Sequence, residues 1–147
     1  MLLVVFFCTL LITLTTLIHY EVLRALSARL PSLNILNRTK VLVAVFATFA
    51  AHILEIVVYG ETLFLLAKYF ELGSLKGPTE LSMANCLYFS AETYTSLGFG
   101  DVMPVGSIRL LAGVEALNGL LLVGWSASYL YIAMERFWIV GGKDPHR

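Results

Sequence analysis

The residues best suited to chemistry lie in one short glycine-containing stretch, Thr95-Ser96-Leu97-Gly98-Phe99-Gly100. Rings of backbone carbonyls can replace the hydration shell of a cation without introducing fixed charge. Successive carbonyls turn toward one side only when the backbone alternates in handedness, and a positive φ costs little for glycine. Gly98 and Gly100, on either side of Phe99, meet this requirement. The stretch therefore predicts a set of carbonyl ligands for a dehydrated cation, with the Ser96 hydroxyl as an additional oxygen.

Two acidic residues bracket this stretch, Glu92 before it and Asp101 directly after it. Neighbouring carboxylates disfavour double ionisation, so a shared proton or a bridging water between them is expected. A short helix ending near Thr95 would also direct the negative end of its dipole at a cation. One chain supplies one such loop, so a closed ring requires several copies, for which cyclic symmetry is the natural arrangement.

The composition places these residues in a membrane protein. Hydrophobic residues make up 59% of the 147 residues and charged residues only 14%, against about 25% charged residues in soluble proteins. The mean hydropathy is +0.82. Ten basic and ten acidic residues give a net charge of zero, which argues against a nucleic-acid partner. The bilayer is the expected environment of most of the chain.

Hydropathy and turn residues divide the chain into segments. A half-length helix joined to irregular backbone at membrane depth indicates a re-entrant loop surrounded by protein or water rather than lipid. The predicted fold class is therefore an all-α membrane protein with three transmembrane helices and one re-entrant helix. The predicted segments are an accessory transmembrane helix at residues 1–19, a cytoplasmic connection at 20–40, a domain at 41–140 and a short cytoplasmic tail at 141–147. Within that domain we predict an outer helix at 41–70, a short helix at 82–95, the glycine-containing stretch at 96–100 and an inner helix at 107–140.

The distribution of Lys and Arg predicts the orientation. The connection at 20–40 contains Arg24, Arg29, Arg38 and Lys40, whereas residues 1–19 contain no basic residue. The positive-inside rule then puts the N-terminus outside, and the connection and the C-terminus in the cytoplasm. We expect a multi-pass protein of the cell membrane.

The run Ser90-Ala91-Glu92-Thr93-Tyr94-Thr95-Ser96-Leu97-Gly98-Phe99-Gly100-Asp101-Val102-Met103-Pro104 resembles the pore loop and selectivity filter of bacterial two-helix potassium channels. The resemblance covers residues 47–136 and leaves the first helix outside it. It implies a homotetramer in which the carbonyls of Ser96, Leu97, Gly98 and Phe99 bind K⁺ and Gly100 completes the filter. By the same resemblance, Thr95 ends the pore helix, and Glu92 and Asp101 support the filter. The resemblance further implies a hinge at Gly119 and a gate or pore lining at Val123, Gly124 and Ala127.

The implied function is passive, potassium-selective permeation, with K⁺ as the permeant ion and no cofactor. Ser96, Leu97 and Phe99 stand where that family has Thr, Val and Tyr. Two alternatives therefore stay open, a weakly selective monovalent cation channel and a non-conducting regulatory membrane subunit. An enzyme is not expected, and neither is a soluble regulatory domain on this chain.

Polar residues recur at helical spacing inside the long apolar segments. One stripe follows the outer helix through Thr48, His52, Glu55, Tyr59 and Thr62, and another follows residues 9, 13, 16 and 20 of the first helix. Ionisable residues inside a membrane are functional candidates by default. We predict that His52, Glu55, Glu115 and Asn118 form either an intramembrane polar network or a pH sensor.

Overall fold

The structure is a computed structural model that describes residues 2–77 and 81–139, with side chains up to residue 137. It is mostly helical. Helix α1 (Leu2–Arg29) continues into a 3₁₀ turn at Leu30–Ser32, and α2 (Asn37–Tyr69) follows after a four-residue connection. Strand β1 (Gly73–Lys76), the short helix α3 (Met83–Tyr94) and strand β2 (Met103–Gly106) lead to α4 (Ile108–Met134), which ends in a π-helical turn at Glu135–Ile139.

Three of these helical segments are long and apolar enough to cross a membrane, which agrees with the predicted number of spans. They are Leu2–Ser32, Asn37–Tyr69 and Ile108–Phe137, with 31, 33 and 30 residues. At 1.5 Å per residue each measures about 45–50 Å, well beyond a hydrocarbon core of about 30 Å. The helices therefore have room to tilt or to extend past the hydrocarbon region.

The predicted boundaries of the first helix and of the connection were wrong. Helix α1 does not end at residue 19, and only residues 33–36 lie outside helical structure before α2 begins. One of the basic residues that suggested a connection, Arg24, lies within α1 in an exposed i,i+3 pair, where its guanidinium donates to Glu21 at 2.8 Å. The opposite face buries Leu23 and Leu26, so the segment is an amphipathic continuation of the same helix.

A small β-ribbon also departs from the predicted all-α class. Strands β1 and β2 pair antiparallel, with Gly73 opposite Gly106 and Lys76 opposite Met103. The ribbon joins the two ends of the segment that contains α3. Helix α3 itself agrees with the predicted helix at 82–95, since the Ser82 hydroxyl caps it by accepting from the Asn85 backbone N–H at 3.2 Å.

The helices pack around two apolar clusters separated by a polar layer. The first cluster includes Val4 and Leu11 of α1, Tyr59 and Leu63 of α2, and Phe89 of α3. The second, at the other end of α1, groups Leu23, Leu26 and Leu30 with Ala44 of α2. Eight buried polar side chains lie between them: Thr15, His19, Thr48, Glu55, Ser90, Glu115, Asn118 and Ser126. The tail at 141–147 lies outside the described residues.

Candidate functional site

The backbone after α3 alternates in handedness. Ser96, Gly98 and Gly100 have positive φ values of 57°, 55° and 81°. Gly98 and Gly100 have the left-handed backbone conformation that was predicted for them. Ser96 is an additional left-handed position that the sequence did not suggest, and for a residue with a Cβ this conformation costs about 1–2 kcal/mol.

Backbone hydrogen bonds hold the beginning of this stretch to the last turn of α3. The Glu92 carbonyl accepts from the N–H groups of Leu97 at 2.9 Å and Gly98 at 3.3 Å. The Thr95 hydroxyl donates to the Ala91 carbonyl at 2.7 Å. The stretch therefore leaves the C-terminal end of α3 in a fixed direction, and Thr95 is the residue that caps the helix.

The side chains of Glu92 and Asp101 each have a partner of their own. The buried Glu92 carboxyl accepts from the Phe99 backbone N–H at 3.1 Å. Asp101 accepts from the Tyr88 phenol at 3.1 and 3.2 Å, and the Tyr88 ring stacks on Phe99 with centroids 6.4 Å apart. Loss of hydration and the hydrogen bond to Asp101 raise the pKa of Tyr88. The predicted proton or water shared between the two acids stays a prediction.

This contact of Tyr88 was not foreseen. Phe99 stands where the family of the resemblance has Tyr, so it has no phenol of its own. Tyr88 lies on that helix, one turn before Glu92, and supplies a phenol from the helix side. The signal in the sequence was that Tyr88 lies four residues before Glu92, which places both side chains on the same face of the helix.

The residues proposed for the hinge and gate divide into two groups. A Cβ added to Gly119 would lie 2.2 Å from the Tyr94 carbonyl oxygen, so this glycine allows α4 to approach the end of α3 closely. Val123, Gly124 and Ala127 are exposed on α4, and a Cβ at Gly124 would meet no described atom within 4 Å. Close packing is established for Gly119, whereas its role as a hinge stays a prediction.

Glu115 lies against the other side of α3. Its carboxyl group is fully buried and contacts the Ser90 hydroxyl, which also donates to the Ile56 carbonyl at 2.8 Å. A hydroxyl has one proton, so Ser90 donates to one of these two acceptors at a time. The second oxygen of Glu115, Oε2, has no hydrogen-bond partner among the described residues.

His52 and Glu55 belong to a network that links four helices. Glu55 accepts from the Tyr94 phenol and contacts His19 Nδ1 at 3.0 Å and His52 Nδ1 at 3.2 Å. Ser126 Oγ lies 3.1 Å from His19 Nε2 and 3.0 Å from His52 Nε2. Of the four residues predicted to form one polar network, only His52 and Glu55 belong to this one, whereas Glu115 and Asn118 make separate contacts. The alternative role as a pH sensor stays a prediction.

His19 was missed because the polar face predicted for α1 was wrong. Thr9 and Thr13 of the predicted α1 stripe are exposed and donate to carbonyls of their own helix. The buried polar residues of α1 are Thr15 and His19, which continue the apolar spacing of Val4, Cys8 and Leu11. The signal for His19 was therefore its position on the apolar stripe rather than on a polar one.

Asn118 joins α1 and α2 to α4. Its amide donates to the Thr15 hydroxyl at 2.8 Å and to the Tyr59 hydroxyl at 3.2 Å. Asn118, Thr15 and Tyr59 are all buried. The predicted residue thus lies in an interhelical contact, although its partner on α1 was not identified from the sequence.

Comparison with known proteins gives one result. A family model described as an ion channel matches residues 41–136, which include α2, α3, the glycine-containing stretch and α4. Helix α1 lies outside the match. No curated protein and no solved structure matches the chain.

Proposed function

Because the chain belongs to the ion-channel family whose model it matches, we propose that it is a potassium-selective channel subunit whose filter is residues 96–100. The observation that carries the proposal is the alternation of positive φ at Ser96, Gly98 and Gly100 directly after the end of α3. This alternation suits a column of carbonyls from Ser96, Leu97, Gly98 and Phe99, each set replacing water around a K⁺ ion. Permeation is passive and needs no cofactor.

The pore is formed by four copies related by a central axis. A single chain leaves Leu97 60% and Phe99 66% exposed, and in the proposed tetramer neighbouring copies cover part of this surface. In this arrangement α3 is a re-entrant pore helix, and its dipole directs negative potential at the inner end of the filter. The N-terminus is outside the cell, and the turn between α1 and α2 is in the cytoplasm.

A weakly selective cation channel is the second candidate, because Ser96 and Leu97 form the inner half of the filter. Serine keeps the hydroxyl but has a less restricted χ1 than threonine. A non-conducting regulatory subunit is the third candidate. The first candidate is favoured by the two bracing contacts at the filter's outer half, from Glu92 to Phe99 N and from Tyr88 to Asp101.

Ion flux through liposomes that contain only the purified protein tests the proposal. We expect flux under a K⁺ gradient and at least tenfold less under an equal Na⁺ gradient. Equal fluxes would indicate the weakly selective channel. No flux of either ion, across a range of pH and lipid composition, would indicate the regulatory subunit.

A pair of glycine variants provides the matched control for that measurement. Gly98→Ala adds a Cβ at a left-handed position, where the conformation costs about 1–2 kcal/mol, and we expect it to abolish K⁺ flux. Gly113→Ala adds a Cβ on α4 where no described atom lies within 4 Å, and we expect wild-type flux. If Gly98→Ala conducted like Gly113→Ala, residues 96–100 would not be the filter.

A further inference from the structure

The cluster of His19, His52 and Glu55 lies outside the permeation path proposed above and has ligands suited to a metal ion. Each residue offers one ligand atom, and these three atoms lie within 4.8 Å of one another. His19 and Glu55 are fully buried, and His52 is partly buried. We propose that these three side chains bind one divalent transition-metal ion, with Zn²⁺ as the ion that the donors fit best.

The donor types support zinc over the hard cations. Two imidazole nitrogens and one carboxylate oxygen form a common zinc ligand set, whereas Mg²⁺ and Ca²⁺ prefer ligand sets made of oxygens. Ligands about 2.0–2.1 Å from a tetrahedral ion lie roughly 3.4 Å apart. His19 Nδ1 lies 3.0 Å from Glu55 Oε1, and His52 Nδ1 lies 3.2 Å from Glu55 Oε2. A small rotation of the carboxylate would therefore bring one of its oxygens and both nitrogens around a single ion.

The contacts behind the two imidazoles fit the same ion. When both Nδ1 atoms coordinate the metal, both Nε2 atoms carry hydrogen and must donate. Both face the Ser126 hydroxyl oxygen, at 3.1 and 3.0 Å, and this oxygen has two lone pairs to accept them. Metal-binding histidines almost always donate their second N–H to such a partner, which fixes the ring orientation.

A fourth donor is also present. The Tyr94 hydroxyl oxygen lies 2.9 Å from His52 Nδ1 and contacts Glu55. It can hold a water molecule in the fourth position of a tetrahedral ion. The bound ion would tie α1 to α2 and to the end of α3, so the site would connect the helix outside the family match to the elements inside it.

Metal binding by the purified full-length protein tests the proposal without any ion-flux measurement. After removal of metal with a chelator, Co²⁺ is added, and its visible absorption is recorded as a probe of tetrahedral coordination. We expect one Co²⁺ per chain, displaced by one equivalent of Zn²⁺, and a higher melting temperature with Zn²⁺. X-ray absorption at the zinc edge should count two imidazoles in the wild-type protein.

The variants separate this site from adventitious binding. His19→Gln and Glu55→Gln should lose stoichiometric binding, and Ser126→Ala, which removes only the acceptor behind the rings, should weaken it by about 10–100-fold. His146→Gln alters the third histidine of the sequence and should bind as the wild type does. The proposal would be overturned if the wild-type protein bound no stoichiometric Co²⁺, or if its zinc-edge spectrum did not show two imidazoles. Both results come from the wild-type protein, so they hold even if a variant fails to fold. Undiminished binding by folded His19→Gln would also overturn it.

Discussion

The proposed filter depends on a few hydrogen bonds made by individual side chains of α3. The best defined of them runs from the Phe99 backbone N–H to the buried Glu92 carboxyl group at 3.1 Å. It acts on the outer half of the stretch, where Gly98 and Gly100 contribute no side chain. The conformation of residues 96–100 therefore depends on a residue that lies seven positions earlier than Phe99.

Glu92→Ala should shorten conducting bursts. The substitution leaves the Phe99 N–H without its acceptor, at a cost of about 1–3 kcal/mol if that donor remains out of contact with water. Glu92→Gln is the matched control, because an amide oxygen still accepts from the same N–H. Single-channel recording of burst duration measures the effect. Equal shortening by both substitutions would mean that the negative charge, rather than the hydrogen bond, is what matters.

Helix packing depends on close approach at a few points. Gly119 of α4 permits contact with the end of α3, since an added Cβ would lie 2.2 Å from the Tyr94 carbonyl. Tyr94 immediately precedes Thr95 and the proposed filter. A displacement of α4 at this point would therefore move the base of the filter.

Gly119→Ala should destabilise the folded protein by about 1–3 kcal/mol, the usual cost of overpacking, and reduce K⁺ flux. Gly124→Ala should leave both properties near the wild-type values, because that position has no described atom within 4 Å of the added Cβ. Thermal unfolding and liposome flux provide the two measurements. A larger effect at Gly124 than at Gly119 would place the critical contact at the predicted gate.

The contact between α1 and α4 can be measured through Thr15 and Asn118. A double-mutant cycle with Thr15→Val and Asn118→Leu should give a coupling free energy of about 0.6 kcal/mol, the average for hydrogen bonds between transmembrane helices. A cycle that uses Thr13→Val in place of Thr15→Val should give no coupling free energy, since the exposed Thr13 hydroxyl donates to a carbonyl of its own helix. Reversible unfolding in mixed detergent measures both cycles. Equal couplings would indicate a general effect of Asn118→Leu.

At the scale of the whole molecule, a ring of carbonyls requires several chains. Native mass spectrometry of the protein released from detergent should give four times the chain mass of 16.3 kDa. A cyclic assembly is expected because one chain supplies one loop and the proposed filter is a closed ring, and the resemblance to two-helix potassium channels implies four copies. A species of two chains, stable across detergents, would rule out this pore geometry.

The sequence predicted the features that depend on local chemistry and missed those that depend on how helices face one another. The three spans, the helix at 82–95 and the left-handed glycines follow from hydropathy, capping and the absence of a Cβ. The ribbon between β1 and β2 could not be predicted, because the nearest paired residues of its two short strands, Lys76 and Met103, are 27 positions apart in the sequence. His19 was missed since its partner Glu55 lies 36 residues later, and no local pattern relates them.

The four-residue connection between α1 and α2 has a consequence for how the chain enters the membrane. During synthesis the N-terminal segment emerges first, so α1 carries the buried His19 before its partner Glu55 of α2 has been made. Thr15 does not wait in this way, because its hydroxyl donates to the Leu11 carbonyl of its own helix at 2.8 Å. The short connection delivers Glu55 next, whereas Asn118, which donates to Thr15, arrives only with α4. We therefore expect α1 and α2 to enter the membrane as a hairpin in which His19 and Glu55 are already paired.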